Sequence, residues 1–139
     1  MKPDQILIEF SRYGIQPTSQ RLEIAEILLE KPQHLSADQI LDRLRDNGSR
    51  VSKATVYNTL NLFAARGIVK ERIVDPERRF YDSNTTDHHH FYNADTGQLT
   101  DIPDDAIKFA RLPEALQDGH LESIEVVIRV RNEPPKKAG

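Results

Sequence analysis

Three consecutive histidines, His88-His89-His90, are the densest ligand chemistry in the chain. Side chains alternate along an extended strand, so His88 and His90 would share one face and His89 would take the other. Two imidazoles on one face with carboxylates nearby begin a metal site, and Asp82, Asp87 and Asp101 are the candidate partners. The competing reading is a polar surface strand. The chain has no cysteine, which removes disulfides, thiolate zinc sites and cysteine nucleophiles together. A cation held by His, Asp and Glu alone would be divalent zinc, iron or manganese rather than a softer metal. His34 stands alone before a helix cap and on that ground reads as structural, and His120 reads as surface.

A second pattern points to nucleic acid. In the stretch from Lys53 to Arg66, Val56, Leu60 and Phe63 form a helical stripe that would turn inward. The outer face then presents Lys53, Ala54, Tyr57, Asn58 and Asn61. Asn pairs with adenine, Lys reaches phosphate or guanine, and Tyr packs on a thymine methyl. A solvated surface helix is the alternative. No catalytic set accompanies these residues: Ser83 and Ser123 lack a surrounding motif, and no glycine loop is built to cradle phosphate. The chain therefore reads as a non-enzyme, with a metal-binding storage or hydrolytic protein as the rival from another class.

The 139 residues suffice for one compact domain or two very small ones. Hydrophobic residues make up 37% and charged residues 29%, the balance of a globular protein. No apolar run approaches the roughly 20 residues of a membrane span. Met1-Lys2-Pro3-Asp4 opens an amphipathic stretch rather than a signal peptide, so a cytoplasmic location is expected. Residues 1–83 carry 13 Lys and Arg against 12 Asp and Glu, whereas residues 84–139 carry 6 against 10. The basic charge thus travels with the candidate DNA-binding half.

Helical spacing of Ile6, Leu7, Phe10 and Tyr13 predicts a first helix over 4–13, stopped at Gly14. Thr18 would cap a second helix running to about Glu30, and Ser36 with Gln39 reads as a capping box for a third. Ser52 would cap the fourth and Gly67 close it. Strands are expected over 68–74 and 79–81, which completes the order of a winged helix-turn-helix domain. Beyond it, strands are expected over 89–93, 98–102 and 124–131, with a helix over 104–110 and a further turn of helix at 114–117. The resulting expectation is an α+β chain: a winged-helix domain over 1–83, a small α/β dimerisation domain over 84–132 and a disordered tail over 133–139. So small a second half would bury little core alone, and pairing with a second copy would relieve its exposed sheet edge.

These residues also carry a family resemblance. Thr55-Val56-Tyr57-Asn58-Thr59-Leu60-Asn61, His34-Leu35-Ser36-Ala37 and Asp87-His88-His89-His90 fall in the order and spacing of the ferric uptake regulator superfamily. The resemblance spans about residues 5–131. With Asp101-Ile102-Pro103 and an arginine-studded final strand, the chain is most similar to the iron response regulator branch. The resemblance implies a homodimeric regulator that binds a double-stranded DNA operator and responds to iron, haem or a divalent metal. A manganese/iron-dependent peroxide-sensing repressor of the same superfamily is the runner-up.

By position, the resemblance also implies a regulatory metal site of His34, Asp82, His88, His90 and Asp101. A second metal or haem site would fall at Asp87, His89 and Glu125, with Lys108 standing where a carboxylate is expected. Haem at the histidine triplet is implied in the same way. The family's usual Cys-x-x-Cys zinc pair would fall at Asn93 and Thr96, so no cysteine-based structural zinc is expected. The expected DNA contacts are Lys53, Thr55, Tyr57, Asn58 and Asn61; of these, the resemblance implies a base contact for Tyr57, Asn58 stands where many members have Arg, and Gln16 stands where a basic residue often enters the minor groove.

Overall fold

The structure is a computed structural model that describes residues 1–75, 77–114 and 116–133. The chain divides into two compact units, Met1–Thr85 and Thr86–Gly139.

The first unit opens with α1 (Pro3–Arg12), α2 (Ser19–Leu28), β1 (His34–Ser36), α3 (Ala37–Asp46) and α4 (Lys53–Arg66). A hairpin of β2 (Lys70–Asp75) and β3 (Arg78–Asp82) closes it. The helix starts follow the expected caps. The Thr18 hydroxyl accepts from the Arg21 amide at 3.2 Å and the Ser52 hydroxyl from the Thr55 amide at 3.1 Å. Ser36 and Gln39 cap one another reciprocally at the start of α3. Gly67 ends α4 at φ 89°, a left-handed position that a side chain would strain.

One apolar cluster joins the helices. Ile6 and Phe10 of α1, Ile24 and Leu28 of α2, Ile40 and Leu44 of α3, and Val56, Leu60 and Phe63 of α4 are all buried in it. Phe10 and Phe63 meet at a ring separation of 5.6 Å. The strands run in the order β1-β3-β2, all antiparallel. This is a winged helix-turn-helix, in which α4 is fixed by its buried stripe and the hairpin forms the wing. β1 was not expected: His34 lies on a strand, not in a loop.

The second unit is a three-stranded sheet of β4 (His89–Asn93), β5 (Leu99–Ile102) and β6 (Val127–Val130), in the order β5-β4-β6. β4 pairs antiparallel with β5 and parallel with β6. Its described residues contain no helix, which corrects the expectation over 104–110. That stretch keeps a single turn bond, from the Ala106 amide to the Pro103 carbonyl at 2.9 Å. The nine residues between Pro103 and Pro113, with Phe109 and Leu112 exposed, bury too little to hold a helix. Residues 114–117 are likewise not helical where described, and Ala115 lies outside the described residues.

β6 is also shorter than the expected 124–131. The Val126 amide donates to the His89 imidazole instead of to a neighbouring strand, although its carbonyl accepts from the His90 amide. The tail expected over 133–139 lies outside the described residues apart from Glu133. Among the described residues no helix is long and apolar enough to cross a membrane.

Candidate metal centre

In the second unit, alternation along β4 sends His88 and His90 to one side and His89 to the other. The β4–β5 register sets Asp101 directly opposite His90. The Asp101 Oδ1 atom lies 3.0 Å from His88 Nε2 and 3.2 Å from His90 Nε2, and the two imidazole centroids are 4.3 Å apart. Both histidines are buried, whereas Asp101 is half exposed.

The contacts of His88 fix which ring nitrogen it presents to Asp101. Its Nδ1 is 2.7 Å from the Thr86 carbonyl oxygen, which only accepts, so Nδ1 carries a proton. In the neutral ring Nε2 is then a lone pair aimed at a carboxylate oxygen. A cation bound between Nε2 and the carboxylate would satisfy that geometry. An Nδ1–H donated to a backbone carbonyl is also how a metal-binding histidine has its tautomer fixed and its Nε2 presented. The His and Asp ligand atoms lie within 4.8 Å of one another, and nitrogen with carboxylate oxygen suits a divalent transition metal.

The first unit brings together the other two expected ligands. His34 on β1 and Asp82 on β3 are register partners, and His34 meets Phe80 edge-on at 6.4 Å. β1 is held there by Ser83, whose amide donates to the Gln33 carbonyl while its hydroxyl accepts from the Gln33 amide, both at 2.9 Å. The Asp82 carboxylate is 1% exposed. It accepts from Arg72 Nε at 3.2 Å and from the Asn84 amide at 2.9 Å. On the opposite face of β3, burial pushes the Tyr81 phenol above its usual 10.0, with the Glu71 carboxylate adding to the effect and Arg79 opposing it. Arg72 was missed by the sequence reading, because an arginine on a wing strand looks like a solvated cation.

His89 Nδ1 accepts from the Val126 amide at 2.9 Å, and its ring packs against Phe109. Asp87, Lys108 and Glu125 are exposed. Among the described residues no group of three or more potential ligands includes Asp87, His89 or Glu125.

The outer face of α4 is as the helical spacing implies. Lys53, Ala54, Tyr57, Asn58 and Asn61 are exposed, while Val56, Thr59, Leu60 and Phe63 are buried. Thr55 is half-buried, and its hydroxyl takes a hydrogen bond from Ser52 at 2.9 Å. Lys53 Nζ stands 5.8 Å from the Tyr57 ring centroid and 3.8 Å from Asp38. Near the start of α2, Arg21 donates to the Gln16 carbonyl at 2.8 Å.

The model of the ferric uptake regulator family matches residues 12–131. The chain belongs to the ferric uptake regulator family. Over 97 residues it is 34% identical to the ferric uptake regulation protein of Vibrio cholerae, an alignment covering 68% of this chain and 65% of that protein. Over 99 residues it is 32% identical to the peroxide-responsive repressor PerR of Staphylococcus aureus, covering 71% and 67% respectively. Among solved structures, the ferric uptake regulator from Francisella tularensis with iron superposes with a TM-score of 0.69 at 26% identity, covering 85% of this chain and 92% of that one.

The α+β architecture of a winged helix followed by a small second domain is therefore the family's. Asn93 and Thr96, where the sequence resemblance placed a cysteine pair, lie at the β4–β5 turn. Asn93 Oδ1 accepts from the Asp95 and Thr96 amides, and its Nδ2 donates to Asn132 Oδ1 at 2.7 Å.

Proposed function

We propose that the chain is a cytoplasmic, homodimeric, metal-responsive DNA-binding transcription regulator, a repressor and not an enzyme. The observation that carries the metal reading is the buried His88 Nε2 facing the Asp101 carboxylate while Nδ1 is committed to a carbonyl. His34, Asp82, His88, His90 and Asp101 are the proposed ligands, and iron, manganese or zinc the proposed ions. The iron of the Francisella tularensis protein supports that choice. The Thr55–Asn61 string and the histidine triplet favour the iron response branch within the family.

A bound divalent cation would supply fixed positive charge and directional coordination to five residues drawn from two separately folded units. Within the protein, the Asp101 carboxylate stands beside both imidazoles, Thr86 fixes the His88 tautomer, and the β1–β3 pairing keeps His34 beside Asp82. Ligands from both units make metal uptake a means of biasing how α4 is presented, because full coordination is gained in one arrangement. On DNA, Tyr57 and Asn58 are the proposed base-reading residues, and Lys53, Thr55 and Asn61 the phosphate-side contacts.

The deciding test is metal analysis of untagged protein, followed by Mn2+ titration with an operator-binding readout. The double change His88→Ala with His90→Ala should abolish Mn2+ binding and the effect of Mn2+ on DNA affinity, with the circular dichroism spectrum intact. Undiminished Mn2+ binding by that variant would remove the proposed centre. The likeness to the Staphylococcus aureus repressor favours a second reading, a peroxide sensor. In that case peroxide should add an oxygen atom to a histidine of the iron-loaded protein, seen by peptide mass spectrometry, and release DNA.

A further inference from the structure

Arg72 is 2% exposed, a buried guanidinium on the wing strand β2. Its Nε donates to Asp82 Oδ2 at 3.2 Å, and a terminal nitrogen donates to the Asn84 carbonyl at 3.3 Å. Asn84 returns its own amide to Asp82 Oδ1 at 2.9 Å. Arg72, Asp82 and the chain just beyond β3 thus form a closed ring of hydrogen bonds. The strand register adds a second cation: Lys70 is the direct partner of Asp82 across β2–β3, as His34 is across β1–β3. Lys70 and Arg72 are two residues apart on one strand and share a face. Burying an arginine is expensive unless a carboxylate compensates it, so the position is not explained by wing packing alone.

We propose that Arg72 is the internal counter-ion that sets how tightly the candidate metal centre holds its ion. The proposal rests on the reading of Asp82 as a ligand. Without metal, the guanidinium compensates the Asp82 carboxylate and keeps it buried and aimed. With metal, the same guanidinium remains beside the carboxylate and repels the incoming cation across a poorly screened interior. The centre therefore gains order before metal arrives and gives up affinity for it. Such a trade suits a sensor, which must release its ion when supply falls. Arg72 is a positioning residue, not a ligand.

The test measures Mn2+ affinity by isothermal titration calorimetry on the untagged full chain, together with thermal melting in chelator. Arg72→Gln keeps an amide donor and removes the charge. It should bind Mn2+ about ten-fold more tightly, the direction opposite to that of a merely damaged site, while melting lower in chelator. Arg72→Lys keeps the charge and should bind within about two-fold of the parent. Equal or weaker Mn2+ binding by a folded Arg72→Gln protein would overturn the proposal. If Arg72→Gln does not fold alone, adding Asp82→Asn should restore folding by removing the unpaired carboxylate, and failure to do so would overturn it equally. Asp82→Asn by itself separates the two readings. Parent-like Mn2+ binding by that variant would take Asp82 out of the centre and remove the proposed ligand set. Lost binding there, with unchanged affinity in Arg72→Gln, would remove the role of Arg72 and leave the centre standing.

Discussion

Asn58 and Lys53 sit less than two turns apart on the exposed face of α4, yet their chemistry assigns them different work. An asparagine amide forms paired bonds to an adenine edge, so Asn58→Ala should cost about 1–3 kcal/mol on the preferred operator and less on a scrambled one. Lys53 is a point charge already balanced in part by Asp38 and the Tyr57 ring. Lys53→Ala should weaken all sequences together and flatten the salt dependence of binding by about one unit. Fluorescence anisotropy across a salt series separates the two, and an intact site preference in the Asn58 variant would refute this docking. The outward residues of α4 were legible because a 3.6-residue period assigns both faces of a helix at once. The pairing of His88 with His90 was legible for the same kind of reason, from the period of two. Arg72 was illegible because nothing local distinguishes a cation that turns inward to a distant carboxylate from one that stays in water.

Among the elements, those with strong local signals were readable: four helices, three of them with N-caps, the wing hairpin, and the strands β4 and β5. β1 was not, since His34–Ser36 is three residues long and exists as a strand through its pairing with β3. The expected helix over 104–110 failed in the opposite way, a short amphipathic stretch without a face to bury. At the far end of the second sheet, Asn93 belongs to a hydrogen-bonded clamp. Arg131 and the Asn132 amide both bond to the Asp95 carboxylate at 2.9 Å, and Asn132 also accepts from Asn93. This clamp ties the β4–β5 turn to the end of β6 without metal. Asp95→Ala removes both anchors, one of them a half-exposed ion pair, and should lower stability by about 1–2 kcal/mol. A denaturant midpoint unchanged by that substitution would show that β6 is held by its ladder alone.

For the molecule as a whole, the second unit has little apolar interior of its own among its described residues. Among its described residues, Tyr92, Leu99 and Ile102 are the buried apolar side chains, while Phe91, Phe109, Leu112, Leu116, Leu121, Val127 and Ile128 are exposed. Phe91 and Ile128 are register partners on β4 and β6, 37% and 38% exposed, and so form a continuous apolar row on the sheet. β6 is also an edge strand, with one side unpaired by any strand among the described residues. An apolar row beside an open edge is the surface that a second copy would cover under two-fold symmetry. We therefore expect Ile128→Glu to convert a dimer into a monomer in sedimentation velocity, since a carboxylate buried across a symmetry axis meets its own copy. The monomer should keep the α4 surface but lose operator affinity, because two recognition helices no longer share one DNA molecule. Its salt dependence should fall to about half of the dimer's, as half the phosphate contacts remain. A dimer that persists in Ile128→Glu with full operator binding would place the interface elsewhere on the chain.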